Sequence, residues 1–70
     1  MKTSKRLVLK IKHAELVKAG KYDVARKVLS LLNDGYITLG SNEASLETAS
    51  ICKKMGIDFT RRWTAVTYSL

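Results

Sequence analysis

The sequence has little of what disulfide-bonded and metal-binding proteins need. Cys52 is the only cysteine, which excludes an intrachain disulfide and a metal site built on two thiolates. His13 is the only histidine, and it lies in a lysine-rich segment without a second ligand at a metal-binding spacing. We therefore expect no metal, no other cofactor and a reducing, cytoplasmic location.

Long apolar runs and proline are missing too. The apolar run that begins at Leu7 is interrupted by Lys10 and Lys12, too early for a signal peptide, and no run approaches the roughly 18 residues of a transmembrane helix. Hydrophobic residues nevertheless make up 46% of the 70 residues, which is too many for a disordered chain. We expect one small basic domain over residues 1–70, either monomeric or completed by a second copy as a homodimer.

Catalytic motifs are also absent from the sequence. It contains no glycine-rich phosphate loop and no two carboxylates placed as an acid and base pair. Cys52 has no neighbouring base and falls on the apolar stripe of a predicted helix, where a buried, unreactive thiol is expected. These absences predict a protein without enzymatic activity.

Basic residues, in contrast, are abundant and unevenly placed. Thirteen Lys and Arg stand against six Asp and Glu, which gives a net charge of +7. Residues 1–27 contain nine basic and two acidic residues. Residues 28–51 contain no basic and three acidic residues, and residues 52–70 contain four basic and one acidic residue. A chain with basic ends attracts polyanions, with nucleic acid ahead of anionic membranes and acidic protein surfaces.

The segment from Leu16 to Gly35 predicts a helix–helix corner followed by a clean helix end. Gly20 is able to take positive φ at the corner, Asp23 suits the first turn of a new helix, and Gly35 suits the position just past its end. The pattern therefore predicts an αα-hairpin. Five apolar residues of its second helix recur at helical spacing and should be largely buried: Val24, Val28, Leu29, Leu31 and Leu32.

The preceding segment, from Ser4 to Lys18, has two interpretations. Ser4 as an N-cap and the strong helix formers around Glu15 favour a helix. The alternation of apolar and basic residues over Arg6 to Lys12 favours a strand, followed by a helix from His13. We expect the helix, because the corner needs one on both sides.

A short strand and a third helix are predicted after Gly35. Residues 36–39 favour a strand, Ser41 or Asn42 can cap a helix, and Gly56 can end it. The apolar stripe of this helix contains Ala44, Thr48, Ile51, Cys52 and Met55.

The last part of the chain again has two interpretations. Phe59, Trp63 and Val66 lie at helical spacing, and on this basis we expect a fourth helix over residues 58–65. The β-branched and aromatic residues from Trp63 onward favour instead a strand that pairs with residues 36–39.

One motif resembles part of a tetratricopeptide unit. The corner sequence A-G-K-Y-D-x-A matches the middle of that repeat through Gly20, Tyr22 and Ala25, and it covers about half of one repeat. No second unit follows, so a solenoid is excluded. The resemblance implies only the geometry of a helical hairpin.

A second motif, from Leu46 to Val66, resembles a helix-turn-helix reader of DNA. The Ile-Cys pair at residues 51–52 and the Met-Gly-Ile sequence at residues 55–57 match its small, apolar and turn-glycine positions. Arg62 stands where that pattern has an aliphatic residue, so the second helix would have to pack through Trp63. The resemblance implies a DNA-binding, regulatory protein.

Two basic clusters are candidate nucleic-acid-binding sites. Arginine pairs with phosphate or guanine edges, lysine neutralises phosphate, and an aromatic ring stacks on a base. The alternatives are that Trp63 is buried and shielded by arginines, and that the lysines form an ordinary solvated face. The denser cluster consists of Lys53, Lys54, Arg61, Arg62 and Trp63, and the N-terminal cluster of Lys2, Lys5, Arg6, Lys10 and Lys12.

Together these patterns predict a mainly α fold of three or four helices built on an αα-hairpin, with at most a two-stranded β element, similar to a winged helix-turn-helix. We expect it to bind nucleic acid, DNA rather than RNA, through the basic residues at its two ends, with a role in regulation such as transcription control. An alternative is a protein-interaction module or inhibitor that docks on an acidic surface of a larger protein. A third is a basic amphipathic N-terminal helix that lies on an anionic membrane.

Overall fold

The computed structural model describes residues 4–70, which form three helices and three strands. The elements are α1 (Lys5–Lys18), α2 (Tyr22–Asp34), β1 (Tyr36–Leu39), α3 (Glu43–Lys54), β2 (Asp58–Arg62) and β3 (Ala65–Ser69). The strands pair antiparallel in the order β1-β3-β2. The first segment is a helix, so the alternative of a strand over residues 6–12 is wrong.

The helical hairpin turns where the glycine pattern predicts. Gly20 has a φ of 78°, its amide donates to the Val17 carbonyl over 3.0 Å, and the Lys21 amide donates to the Leu16 carbonyl over 2.9 Å. These two bonds satisfy the last carbonyls of α1, as a left-handed residue after a helix allows. Gly35 ends α2 in the same left-handed region, with a φ of 82°. The predicted αα-hairpin is confirmed.

Helix α3 is held at both ends by residues that the sequence identifies. The Asn42 side chain accepts a hydrogen bond of 2.7 Å from the Ser45 amide, which caps the first turn. Gly56 follows the last turn with a φ of 70°, and the Ile57 amide donates to the Cys52 carbonyl over 3.1 Å. Strand β2 begins two residues after Gly56.

Apolar residues from all three helices and from the sheet form the core. Leu29 is an exception to the prediction, because it is 41% exposed and lies at the edge of α2 rather than beneath it. Each helical residue is rotated by about 100° from the one before, so the stripe centred on Val28 and Leu31 leaves Leu29 at its margin. The buried apolar residues are Leu9, Leu16, Val24, Ala25, Val28, Leu31, Ile37, Leu39, Cys52, Ile57 and Tyr68.

The fourth helix predicted over residues 58–65 is wrong. The chain forms the β2–β3 hairpin there, and β3 pairs with β1 on its other side. Tyr68 lies opposite both Ile37 and Phe59 in this register, and it is fully buried. The strand propensity of these residues prevails over their helical spacing because a central strand buries Tyr68 from both sides. The sheet therefore has three strands, and β2 takes the place of the second helix in the helix-turn-helix resemblance.

The two faces of the sheet differ in chemistry. Ile37, Leu39 and Tyr68 point toward the helices and are buried, whereas Thr38 and Thr67 lie on the outer face with their hydroxyl oxygens 2.9 Å apart. This alternation is the two-residue period of a half-buried sheet. Over residues 4–70, every helix is too short or too polar to cross a lipid bilayer.

Candidate nucleic-acid interface

The tip of the β2–β3 hairpin carries the most exposed aromatic residue of the described chain. Arg62 pairs with Ala65, so Trp63 and Thr64 alone make the turn. Trp63 has a φ of 52° and is the only non-glycine residue with positive φ among residues 4–70. Tight hairpin turns need positive φ at this position and normally use Gly, Asn or Asp there. The indole is 99% exposed, so the interpretation of Trp63 as a core residue is wrong.

The two arginines beside Trp63 lie on opposite faces of the hairpin. Arg61 is opposite Val66 and shares the helix-facing side of the sheet with Tyr68, whereas Arg62 is opposite Ala65 on the outer side. Burial raises the pKa of the Tyr68 phenol, the Cys52 thiol adds to the increase, and the positive charge of Arg61 opposes it. The strand register therefore places Arg61 on the inner face, although both arginines are exposed.

A groove of about 350 Å³ lies between α3 and the hairpin. Lys53, Arg61 and Trp63 all line it, so the structure brings together three of the five residues of the denser predicted cluster. Arg62 faces away from the groove because of the strand alternation, and Lys54 lies on another side of α3. The apolar residues that line the groove are Leu39, Leu46, Ala49 and Val66.

A second groove, of about 270 Å³, lies between α1 and α3. Lys12 and Lys54 both line it, beside a wall formed by Val8, Ile11, Ile51 and Met55. The Lys5 ammonium donates a hydrogen bond of 3.3 Å to the Gly56 carbonyl, immediately after α3. Residues from the two predicted clusters, which are far apart in the sequence, therefore meet at the C-terminal end of α3.

The remaining members of the N-terminal cluster lie elsewhere. Arg6 donates a hydrogen bond of 2.8 Å from Nη1 to the Leu32 carbonyl, near the C-terminal end of α2, where a cation is favourable. Lys10 lines a shallow groove with Arg6, the half-buried His13 and Leu29. The helical period places residues 5 and 12 on one side of α1 and residues 6 and 10 on another. Lys2 lies outside the described residues.

Acidic residues gather at the opposite end of α3. Glu43 and Glu47 of its first half share a groove with Asp23 of α2, and the Glu47 carboxylate is 3.1 Å from the Lys21 ammonium. In the part of the chain from residue 4 onward, Lys53, Lys54, Arg61 and Arg62 form no ion pair. The C-terminal end of α3 and the hairpin therefore carry uncompensated positive charge. The same part of the chain has no group of three side chains able to hold a metal ion.

Sequence reasoning missed the apolar wall of the hairpin groove. Leu46 is 59% exposed and lines this groove, although it belongs to no predicted site. A signal was present, because Leu46 lies on α3 outside the stripe of Thr48 and Cys52 and so has no place in the core. An apolar residue off the stripe marks an apolar surface beside the basic residues.

Comparisons with protein-family models, curated proteins and solved structures find no match to this chain.

Proposed function

We propose that this protein is a small nucleic-acid-binding protein without catalytic activity, which binds DNA in a regulatory role. Its contact surface is the hairpin and the C-terminal end of α3. The observation that supports this most is Trp63, an exposed residue that follows two arginines and has a backbone conformation that costs a non-glycine residue roughly 1–3 kcal/mol. Glycine would relieve that cost, so stability does not explain a tryptophan at this position, whereas stacking on a base does.

Each residue of the surface has a distinct role in this proposal. Lys53, Arg61 and Arg62 neutralise phosphates, and Trp63 contacts a base. The hairpin acts as a wing beside α3, which gives a winged arrangement without the second helix of a helix-turn-helix. Lys5 and Lys54 extend the basic surface toward α1, whereas the Lys12 ammonium lies 3.7 Å from the Glu15 carboxylate and is partly neutralised by it.

Arg6 and Lys10 have a different role in the proposal. The Arg6 guanidinium already bonds to the Leu32 carbonyl, and Lys10 lies on the same side of α1 against α2. We assign both to holding α1 against α2 rather than to phosphate contact.

A salt-titrated binding assay tests the proposal. The anisotropy of labelled duplex DNA, single-stranded DNA and RNA would be measured with the native protein and with the double variant Arg61→Ala, Arg62→Ala. The logarithm of the binding constant should fall linearly with the logarithm of salt concentration, and the slope should decrease by about one for each phosphate that is no longer neutralised. An arginine that reads a base edge would instead cost roughly 1–3 kcal/mol and relax the preference at one position.

The matched control is the double variant Arg26→Ala, Lys27→Ala. It removes the same charge from α2, where both residues line a groove with Asp23 and Glu43, away from the hairpin. If both double variants reduce affinity equally, net charge alone attracts the polyanion. If the arginine variant leaves affinity and salt slope unchanged, the hairpin is not the site.

The second candidate function is docking on a protein, and the groove between α1 and α3 favours it. Ile11 of α1 is 53% exposed and lines this groove with Ile51. The apolar wall has Lys54 and the Lys12–Glu15 ion pair at its edge, so it is complementary to an amphipathic helix that carries an acidic residue opposite Lys54.

Titration of the isotope-labelled protein with an acidic amphipathic peptide tests this candidate. Chemical shifts of Ile51 and Met55 should move, and Ile11→Asn should weaken binding. If the protein binds this peptide and no nucleic acid even at low salt, protein docking replaces the first proposal.

A further inference from the structure

We infer that the groove between α3 and the β2–β3 hairpin receives an unpaired nucleotide base, so that the favoured ligand is single-stranded nucleic acid rather than a closed duplex. The inference rests on the proposed function and specifies its substrate class. The relevant chemistry, an exposed base on a sugar–phosphate strand, is common to DNA and RNA.

The shape and the lining of the groove favour a base. Its volume of about 350 Å³ lies within the range of small-ligand sites, and such sites are concave and largely apolar with a few polar groups. Leu46, Ala49 and Val66 supply the apolar wall. A closed duplex presents phosphates and base edges, which do not fill an apolar recess. An unpaired base presents two flat faces, which can fill such a recess.

Trp63 supplies an aromatic surface at the same groove. Trp63 is 99% exposed, and the two-residue turn places its backbone at the end of the sheet. Every base has a π face, so stacking on an indole needs no particular sequence. Leu46, which is 59% exposed, offers a second apolar surface to the same base.

The charges at the groove suit the backbone of the strand that carries the base. Lys53 and Arg61 line the groove together, and within residues 4–70 neither is neutralised by an acidic side chain. Tyr68 also lines it, and the buried Tyr68 hydroxyl has no hydrogen-bond partner among the described residues. Because the Tyr68 side chain is 0% exposed, the contacts open to a base come from Lys53, Arg61 and the apolar wall.

Trp63 provides a direct measurement, because it is the only tryptophan in the sequence. Its intrinsic fluorescence would be followed while the full chain is titrated with oligothymidylate, oligouridylate, an abasic strand of equal length and a closed DNA hairpin. Oligothymidylate and oligouridylate should quench the fluorescence to saturation, and the stronger of the two identifies the natural source of the base. The abasic strand, which has the phosphates but no bases, should bind roughly ten-fold more weakly.

A pair of surface variants tests the groove itself. Leu46→Asn places a polar group in the groove wall, whereas Leu7→Asn makes the same change at a similarly exposed position on α1. Anisotropy with labelled oligothymidylate should show several-fold weaker binding for Leu46→Asn and unchanged binding for Leu7→Asn. Thermal unfolding of both variants checks that the fold is kept.

The outcomes separate this inference from the proposed function. If no polyanion changes the anisotropy even at low salt, the proposed function fails and the inference fails with it. If polyanions bind with a salt slope but the abasic strand or the closed hairpin binds and quenches as well as oligothymidylate, only the inference is overturned. Equal binding by Leu46→Asn and the native protein would also overturn it.

Discussion

Two hairpins in this molecule turn on a residue with positive φ, and they treat that requirement in opposite ways. The corner of the helical hairpin uses Gly20, with a φ of 78°, and the turn of the strand hairpin uses Trp63, with a φ of 52°. Glycine adopts this region without a steric penalty, while a bulky residue there is an outlier. The first corner therefore favours stability, and the second keeps a large side chain although it lowers stability.

The residues around the two corners also differ in burial. The helical hairpin buries Leu9, Val28 and Leu31 completely, whereas every residue of β2 is exposed. A cost of roughly 1–3 kcal/mol at a surface turn is tolerated only if the rest of the domain is well packed. The difference indicates that the core supports an exposed hairpin whose side chains serve binding.

The largest effect should come from breaking the helical hairpin. Leu31→Ala removes a fully buried side chain and should cost about 2–5 kcal/mol of unfolding free energy. Leu29→Ala is the matched control, because Leu29 is 41% exposed and should lose clearly less. Urea denaturation of both variants measures the difference. Equal losses would mean that the edge of α2 is packed as tightly as its centre.

The buried side of α3 should make the fold sensitive to alkali. Burial raises the pKa of the Cys52 thiol from 9.0 to about 11, so the folded state holds its proton longer than the unfolded state does. The contribution of the thiol to stability is complete below pH 9 and is lost as the pH rises to about 11.

Denaturation at several pH values would measure this loss. Cys52→Ala should lower the unfolding free energy at every pH, because it removes packing. After this constant loss is subtracted, the unfolding free energy of the variant should fall less between pH 9 and about 11 than that of the native protein. A thiol reagent at neutral pH should modify Cys52 only as the fold opens, and fast modification of the folded protein would contradict its burial.

Substituting the glycine of the helical corner sharpens the comparison. Gly20→Ala adds a Cβ where φ is positive and should destabilise the fold by about 1 kcal/mol or slightly more. Thermal unfolding measures this effect. An unchanged or higher melting temperature would show that the corner relaxes out of the left-handed region.

Replacing the residue at the turn of the strand hairpin by glycine should have the smallest effect on stability. Any effect should be stabilising, opposite to that of Gly20→Ala. Trp63→Gly relieves the positive φ, and we expect stability to be unchanged or to rise by up to about 1 kcal/mol. Affinity for single-stranded nucleic acid should fall at the same time. A clear loss of stability would indicate that the indole packs on the domain and that its display is not the reason for the strained turn.

The helices and their ends could be predicted from the sequence because their signals are local. Gly20, Gly35 and Gly56 each follow a helix in the left-handed conformation, and Asn42 caps α3. A glycine or a cap acts through bonds to residues within about four positions, so its effect does not depend on the rest of the fold. The buried position of Cys52 was predictable for a similar reason, from the helical period alone.

The last strand pair depended on tertiary structure. Phe59, Trp63 and Val66 lie at helical spacing, yet residues 58–62 and 65–69 are strands, because β3 pairs with β1 and β2 on either side. The β-branched and aromatic composition favoured the alternative of a strand that pairs with residues 36–39, which the structure confirms. The local pattern alone could not decide between the two interpretations, since β1 and β3 are separated by the whole of α3 and β2.

The candidate site depended on tertiary structure as well. The strand separates Arg61 from Arg62 and brings Arg61 to Lys53, while the fold brings Lys12 of α1 to Lys54 of α3. The amount of positive charge at the two ends of the chain follows from the sequence alone. Only the tertiary packing of the helices and the sheet decided which of those charges share a surface, because long-range contacts place together residues that the chain keeps far apart.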